Sequence, residues 1–336
     1  MGAVMPYNKP ALSISDQAER LKQRGLQFED SARVQHYLTY IGYYRISAYW
    51  LPFEQPAAKG QPRNHQFQPD TTFEQVLSLY VFDRQLRLLV MEAIERIETA
   101  VRTRWAHELA VRYGPHAHVD ASLFKSPWQH ASDIARMAGH LEKSNETFIA
   151  HYRSNYSEPY LPPIWAVVET LTLGGLSRWF EATKSTDVKS KVAKTLGMPT
   201  IEVLEHVLHA LTTVRNVCAH HGRLWNRRFT LQLPHIKRLK NQMVIEQITT
   251  VKKQNNPCSQ CGVLVEKSQT NVQQQPSRQV YNYLLVMTHL MNHINPGSSW
   301  RKRLGEHIHS ASAHQQKAMG FPVGWERFSI WQGKKS

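Results

Sequence analysis

Acid is what this chain is short of. Against forty-one lysines and arginines it carries twenty-six aspartates and glutamates, a formal net charge of +15 before eighteen histidines are counted. Such an excess attracts polyanions, nucleic acid first and an acidic membrane surface second. Cysteine is scarcer still: three thiols cannot make a disulfide framework, because one is always left over. Long apolar runs are missing too, with no stretch of about eighteen residues to span a bilayer. The first residues, MGAVMPYNKPALS, lack the cationic start and apolar core of a secretory signal. Gly2 would suit myristoylation, but Pro6 stands where Ser or Thr is wanted. The expectation is a soluble, cytoplasmic protein with no membrane partner. What is present in ordinary amount is core material: 41% hydrophobic residues in 336 allow one large or two modest domains.

Several chemistries lack their residues. HELAV at His107 begins like H-E-x-x-H, but Val111 replaces the second zinc ligand. GGLSRW begins like a nucleophile elbow, but Trp179 sits where the closing glycine is needed. Neither a P-loop nor a G-x-G-x-x-G is found. Cys258 and Cys261 make half a zinc site, and no second pair stands nearby to close it. They read as exposed thiols of a variable insertion, and Cys218 as a small core residue. No metal and no cofactor are expected.

Helical periodicity dominates, and the expected fold class is all-α. Residues 14–25 make a helix that starts at a capping Ser or Asp and stops at Gly25; residues 30–53 make a second helical stretch that ends near Pro52. Pro, Gly and Gln crowd residues 55–70, a loop that would close an N-terminal helical module, residues 1–70, ahead of a second helical domain, residues 71–336. From Thr72 to Gly114, Leu86, Val90, Ala93, Ile97, Val101 and Trp105 keep helical spacing, predicting one or two long helices. Residues 162–183 read as helix interrupted at Gly174-Gly175, and residues 200–225 as another long helix. The Gln- and Asn-rich residues 241–276 read as an exposed, weakly patterned insertion, and residues 279–294 return to helix.

One stretch concentrates donors and titratable groups. VRNVCAHHGRLWNRR, residues 214–228, holds four arginines, two histidines and two asparagines and no acid. Wound at about 100° per residue from Asn216, His220 falls near about +40°, Arg223 near about −20° and Arg227 near about +20°. Arg215 and Asn226 flank that stripe, while Val203, Val207, Ala210, Val214, Val217 and Leu224 take the opposite arc, and His221 points into it as a core histidine. A solvated helix face normally mixes Glu with Lys. Uncompensated Arg with His and Asn suits a phosphate: guanidinium forks grip phosphoryl oxygens, and imidazole moves protons near neutrality.

RNVCAHHGRLWNR resembles the R-N-x-x-A-H motif, with its downstream Arg and Asn, of Abi proteins of the AbiD/AbiF type, bacterial abortive-infection proteins of the HEPN superfamily. KPALSISDQAERLKQRGL, HYLTYIGYYRISAYWLPF, LYVFDRQLRLLVMEAIERIETAVRTR, LPPIWAVVETLTLGGLSRWF, INPGSSWRKRLGEHI and KAMGFPVGWERFSIW extend the likeness in order along the chain, and the Gln-rich insertion departs from it. The resemblance implies a HEPN-like helical bundle and an endoribonuclease whose catalytic residues are Arg215, Asn216 and His220, with Arg223, Asn226 and Arg227 binding RNA. It also implies a homodimer, since such nucleases usually set two motifs face to face. Arg102 and His107 repeat the spacing on the other long helix, but the apolar periodicity around Trp105 favours a structural role there. Two other readings stay open: a non-catalytic RNA-binding regulator that associates with a small noncoding RNA, and a DNA binder that uses the N-terminal helices.

Overall fold

The computed structural model describes residues 10–57, 60–257 and 264–333, with side chains left aside at 250–257 and 264–271. It is all-α: 64% helical, with fourteen α-helices and one two-stranded sheet among the described residues. The chain forms two compact units, Met1–Gln85 and Leu86–Ser336.

In the first unit α1 (Ile14–Gln23) starts where the Ser13 hydroxyl accepts from the Asp16 amide, and α2 (Ser31–Ile41) starts at Asp30 in the same way. The expected single stretch over 30–53 is broken at Gly42, whose φ of 89° ends α2 and starts α3 (Tyr43–Trp50). A short 3-10 turn, Leu51–Phe53, carries the expected breaker Pro52. The proline- and glutamine-rich segment that follows is a loop pinned by bridges from Glu54 to Phe67 and from Gln27 to Thr72. Buried Glu54 is its keystone, with Arg24, Arg63 and His65 all facing the one carboxylate. The Arg24 guanidinium also lies over Trp50 at 5.5 Å and Phe67 at 5.1 Å, so its charge is shared between carboxylate and ring faces.

A capping box opens α4 (Phe73–Tyr113): the Gln75 amide donates to the Thr72 hydroxyl, and the Thr72 amide donates to the Gln75 side chain. It is one helix of 41 residues, ended by Gly114 at a φ of 94°. Its first turns belong to the first unit and the rest to the second. The predicted stripe from Leu86 to Trp105 is wholly buried.

In the second unit come α5 (Pro127–Glu142), α6 (Thr147–Asn155), α7 (Ile164–Val167), α8 (Leu173–Ala182), α9 (Thr186–Thr195) and α10 (Ile201–Ala219). The expected break at Gly174-Gly175 falls earlier, at Leu171 and Thr172. Both glycines belong to the first turn of α8, where the Thr172 hydroxyl caps the Gly175 amide. Gly174 serves packing: a Cβ there would lie 3.1 Å from the Thr212 methyl of α10, so its absence lets α8 and α10 come close.

The Gln/Asn-rich insertion is patterned after all. It folds as an antiparallel ribbon of β1 (Ile245–Pro257) and β2 (Leu264–Pro276), closed at its base where the Ser277 amide donates to the Val244 carbonyl at 2.8 Å. Cys258 and Cys261 lie outside the described residues. Then α11 (Val280–Ile294) runs through the middle of the unit, with every residue from Val280 to Met291 buried. A mostly apolar helix belongs inside, and its buried Asn282, Thr288 and His289 are each hydrogen-bonded to backbone carbonyls. Around it stand α12 (Trp300–His309), α13 (Ala313–Ala318) and α14 (Ser329–Gln332). Buried Trp300 donates its indole N–H to the Leu89 carbonyl of α4 at 2.7 Å, and Trp105 donates to Thr183 Oγ1 at 3.1 Å. Among the described residues no helix is long and apolar enough to cross a membrane.

Candidate functional site

Thr200 caps α10 by accepting from the Val203 amide at 3.2 Å, and the helix buries Leu204, Val207, Leu208, Ala210, Leu211, Val214 and Cys218. Cys218 is thus the core residue expected of it. On the far side of the last turns Asn216 is exposed and Arg215 half-buried, and the Arg215 Nη1 donates to Asn216 Oδ1 at 3.3 Å.

The helix stops at Ala219 and does not run on to Trp225 as its periodicity suggested. The reason is a Schellman turn. His221 adopts the left-handed region at φ 55°, its amide donates to the Cys218 carbonyl at 3.0 Å, and the Gly222 amide reaches back to Val217 at 2.8 Å. Glycine usually holds the left-handed position, and here a histidine does. His221 is therefore no core histidine. It is exposed, at the cap of the helix, and so is His220 beside it. Buried Arg87 of α4 supports the turn by donating to the Gly222 carbonyl at 3.4 Å.

Past the turn the expected continuous helical stripe gives way to a loop that carries Arg223, Asn226 and Arg227. Leu224 and Trp225 plunge into the core, and the Arg227 amide donates to the Leu224 carbonyl at 2.9 Å, which reverses the chain. Arg223 and Arg227 end side by side and half-buried, the Arg227 Nε donating to the Arg223 carbonyl at 3.0 Å. Asn226 is half-buried, with an Oδ1 that accepts no hydrogen bond among the described residues. Arg228 leaves the group, bound to both Glu246 oxygens at 2.8 Å, and Phe229 pairs onward with Arg278 at the entry to α11.

The acid missing from residues 214–228 is supplied in part from α4. Burial raises the pKa of Glu98, and Arg102 and then Arg215 hold it down. Arg102 itself is tied to Glu98 and to the Leu171 carbonyl, with Glu169 3.7 Å away. That leaves the repeated Arg102–His107 spacing in a structural role on the arginine side, as the apolar neighbours indicated. Exposed His107 points about 140° around the helix from it. Sequence reasoning missed Glu98 and Arg87. The Glu98–Arg102 spacing of four was a visible pairing signal for the first; for the second there was only an arginine beside a core stripe.

The strained cap yields a measurable consequence. His221→Gly should raise stability by about 0.5–1 kcal/mol, because the left-handed region costs an L-residue about 1–2 kcal/mol and glycine's extra backbone entropy returns about 0.5–1. Thermal unfolding reads this directly. A lower melting temperature would mean that contacts of the imidazole, and not the turn, hold this corner.

Among the described residues no three His, Cys, Asp or Glu side chains converge as metal ligands. The predicted residues fall in two short segments: Arg215, Asn216 and His220 at the helix end, and Arg223, Asn226 and Arg227 on the loop that follows. No curated protein and no solved structure matches the chain. A family model does, described as Abi-like protein, over residues 36–226. The match runs from α2 through α4 to the far end of the arginine-rich turn, more than half of the chain. Membership carries with it a part in abortive infection, the resistance of bacteria to phage. By that match, ending as it does at the residues that close the site, the chain belongs to the Abi-like protein family.

Proposed function

We propose that the chain is a HEPN-type endoribonuclease of abortive infection, cleaving RNA by 2′-hydroxyl transesterification without a metal. One observation supports the reading: Asn216 and His220 are exposed at the end of α10, and half-buried Arg215 donates to Asn216 Oδ1 at 3.3 Å.

The chemistry follows from these groups. A 2′-oxygen attacks the adjacent phosphorus as His220 takes its proton. The bond from phosphorus to the 5′-oxygen breaks, and that oxygen receives a proton. The products are a 2′,3′-cyclic phosphate and a 5′-hydroxyl. Arg215 neutralises the phosphorane, whose charge exceeds that of the ground state, so it contributes most in the transition state. Asn216, one turn from His220 and bonded to Arg215, positions the guanidinium against a phosphate oxygen. One imidazole cannot be base and acid together, so a homodimer divides the two roles between two copies of His220. Arg223, Asn226 and Arg227 hold the neighbouring phosphates.

Incubation of the purified protein with RNA in excess EDTA tests this. Expected are fragments with 2′,3′-cyclic phosphate ends, and full resistance of an RNA that is 2′-deoxy at the cleaved nucleotide. Binding without cleavage would favour the RNA-binding regulator. Equal affinity for DNA and RNA duplexes would favour the DNA reading.

A further inference from the structure

We propose that a groove on the second unit, away from the helix-end cluster, receives an unstacked base of a single RNA strand, with Trp165 as its stacking face. The proposal rests on RNA being the substrate. The groove is a cavity of about 480 Å³ between the last turns of α4 and the α7 segment, lined by Thr103, His107, Ala110, Trp165, Val168 and Glu169. That volume lies within the ~300–1,000 Å³ of small-ligand sites.

Trp165 is 56% exposed although it sits on a helix whose other apolar residues, Ile164 and Val167, are fully buried. A large ring held in solvent by a fixed backbone is a platform. The backbone is fixed by the Ile164 amide, which donates to the Pro115 carbonyl at 2.8 Å, just past the end of α4. The small residues Ala106 and Ala110 line the same cavity. With them stand His107, Thr103 and Glu169, the donors and acceptors that a base edge requires.

Charge does not oppose a nucleic acid here. The carboxylates nearby are already matched: Glu169 faces Arg102 at 3.7 Å, and Glu108 faces Arg104 at 2.5 Å and Lys191 at 3.6 Å. A phosphate therefore meets no uncompensated acid in a chain of net charge +15. A second stacking surface continues the path beyond Pro115. The Tyr152 hydroxyl lies 3.4 Å from the His116 Nε2, and its ring lies 5.2 Å from that of exposed Tyr156. Stacking tolerates any base, so the groove adds affinity and register without demanding a sequence.

The test is the affinity of the full chain for a fluorescently labelled single-stranded RNA made uncleavable by 2′-O-methylation, read by anisotropy. Trp165→Ala should weaken binding by about 10-fold or more, Trp165→Phe should restore most of it, and melting temperatures should match the wild type because the ring is exposed. The duplex form of the same RNA should compete poorly. Unchanged affinity in Trp165→Ala, no restoration by Trp165→Phe, or no binding by the wild type overturns the proposal. A mononucleotide that binds as tightly as the strand overturns it too, making the groove a free-nucleotide site. Because the probe cannot be cut, the result is independent of catalysis: Trp165-dependent binding in a protein that leaves ordinary RNA intact would sink the nuclease and spare the groove.

Discussion

Arg215→Ala and His220→Ala are each expected to lower RNA cleavage by about 10²–10⁴-fold or more, the range that general acid–base catalysis typically supplies. The loss should not come through the fold. His220 is exposed, and the half-buried Arg215 is one of two arginines facing Glu98, so its removal leaves Arg102 in place. Melting temperatures within a few degrees of the wild type are therefore the expected companion result. Removal of His220 takes away the proton acceptor and the donor in both copies at once. Mixed dimers of Arg215→Ala with His220→Ala chains then report how the roles are divided. His221→Gly is the internal control, because it keeps the turn and deletes the neighbouring imidazole. If His221→Gly abolishes cleavage at full stability while His220→Ala does not, the two histidines have been assigned the wrong way round.

Trp225→Ala should be the most costly substitution for the fold near the site. The indole is 1% exposed, inside the loop that carries Arg223 and Arg227, and a buried Trp cut to Ala loses about 3–5 kcal/mol in apolar transfer and cavity terms together. At roughly 2–4 °C per kcal/mol for a unit of this size, the melting temperature should fall by about 6–20 °C. Assayed well below that midpoint, the variant should also bind RNA more weakly, since its two arginines lose the anchor that sets them side by side. Trp225→Phe should recover most of the stability. An unchanged melting temperature in Trp225→Ala would show that the returning loop owes its position to something other than this ring.

Much of the architecture was written in local patterns. The buried stripe from Leu86 to Trp105 depends on residues three or four apart, and the largely apolar α11 on a continuous run, both of which a linear reading sees. What it could not see depends on partners far along the chain or on single backbone angles. Gly174 looked like a breaker because its packing partner, Thr212, lies on another helix. The Gln/Asn-rich insertion looked formless because each ribbon residue is explained by one across the ribbon, as Gln247 is by Gln274. The exposed face with Asn216 and His220 was legible from spacing, whereas the end of α10 was not. Apolar positions continue through Leu224, and nothing in the composition of CAHHG announces that a histidine takes the left-handed angle. Hence the misplacement of His221, and hence a loop at Arg223, Asn226 and Arg227 where a straight helix had been expected.

The turn at His221 also divides the motif into two parts with different freedom to evolve. Between Arg215 and His220 the chain is helical or caps the helix, so gaining or losing one residue would swing the imidazole by about 100° and move it by about 1.5 Å along the axis. No side-chain adjustment compensates for that. After Gly222 the backbone is loop, and an added residue there alters how far Arg223 reaches before Leu224 and Trp225 re-enter the core. Length variation in relatives should therefore be excluded from the first part and tolerated in the second. The spacing of Arg215 and His220 is set by helical pitch, while the reach of the loop arginines is left adjustable.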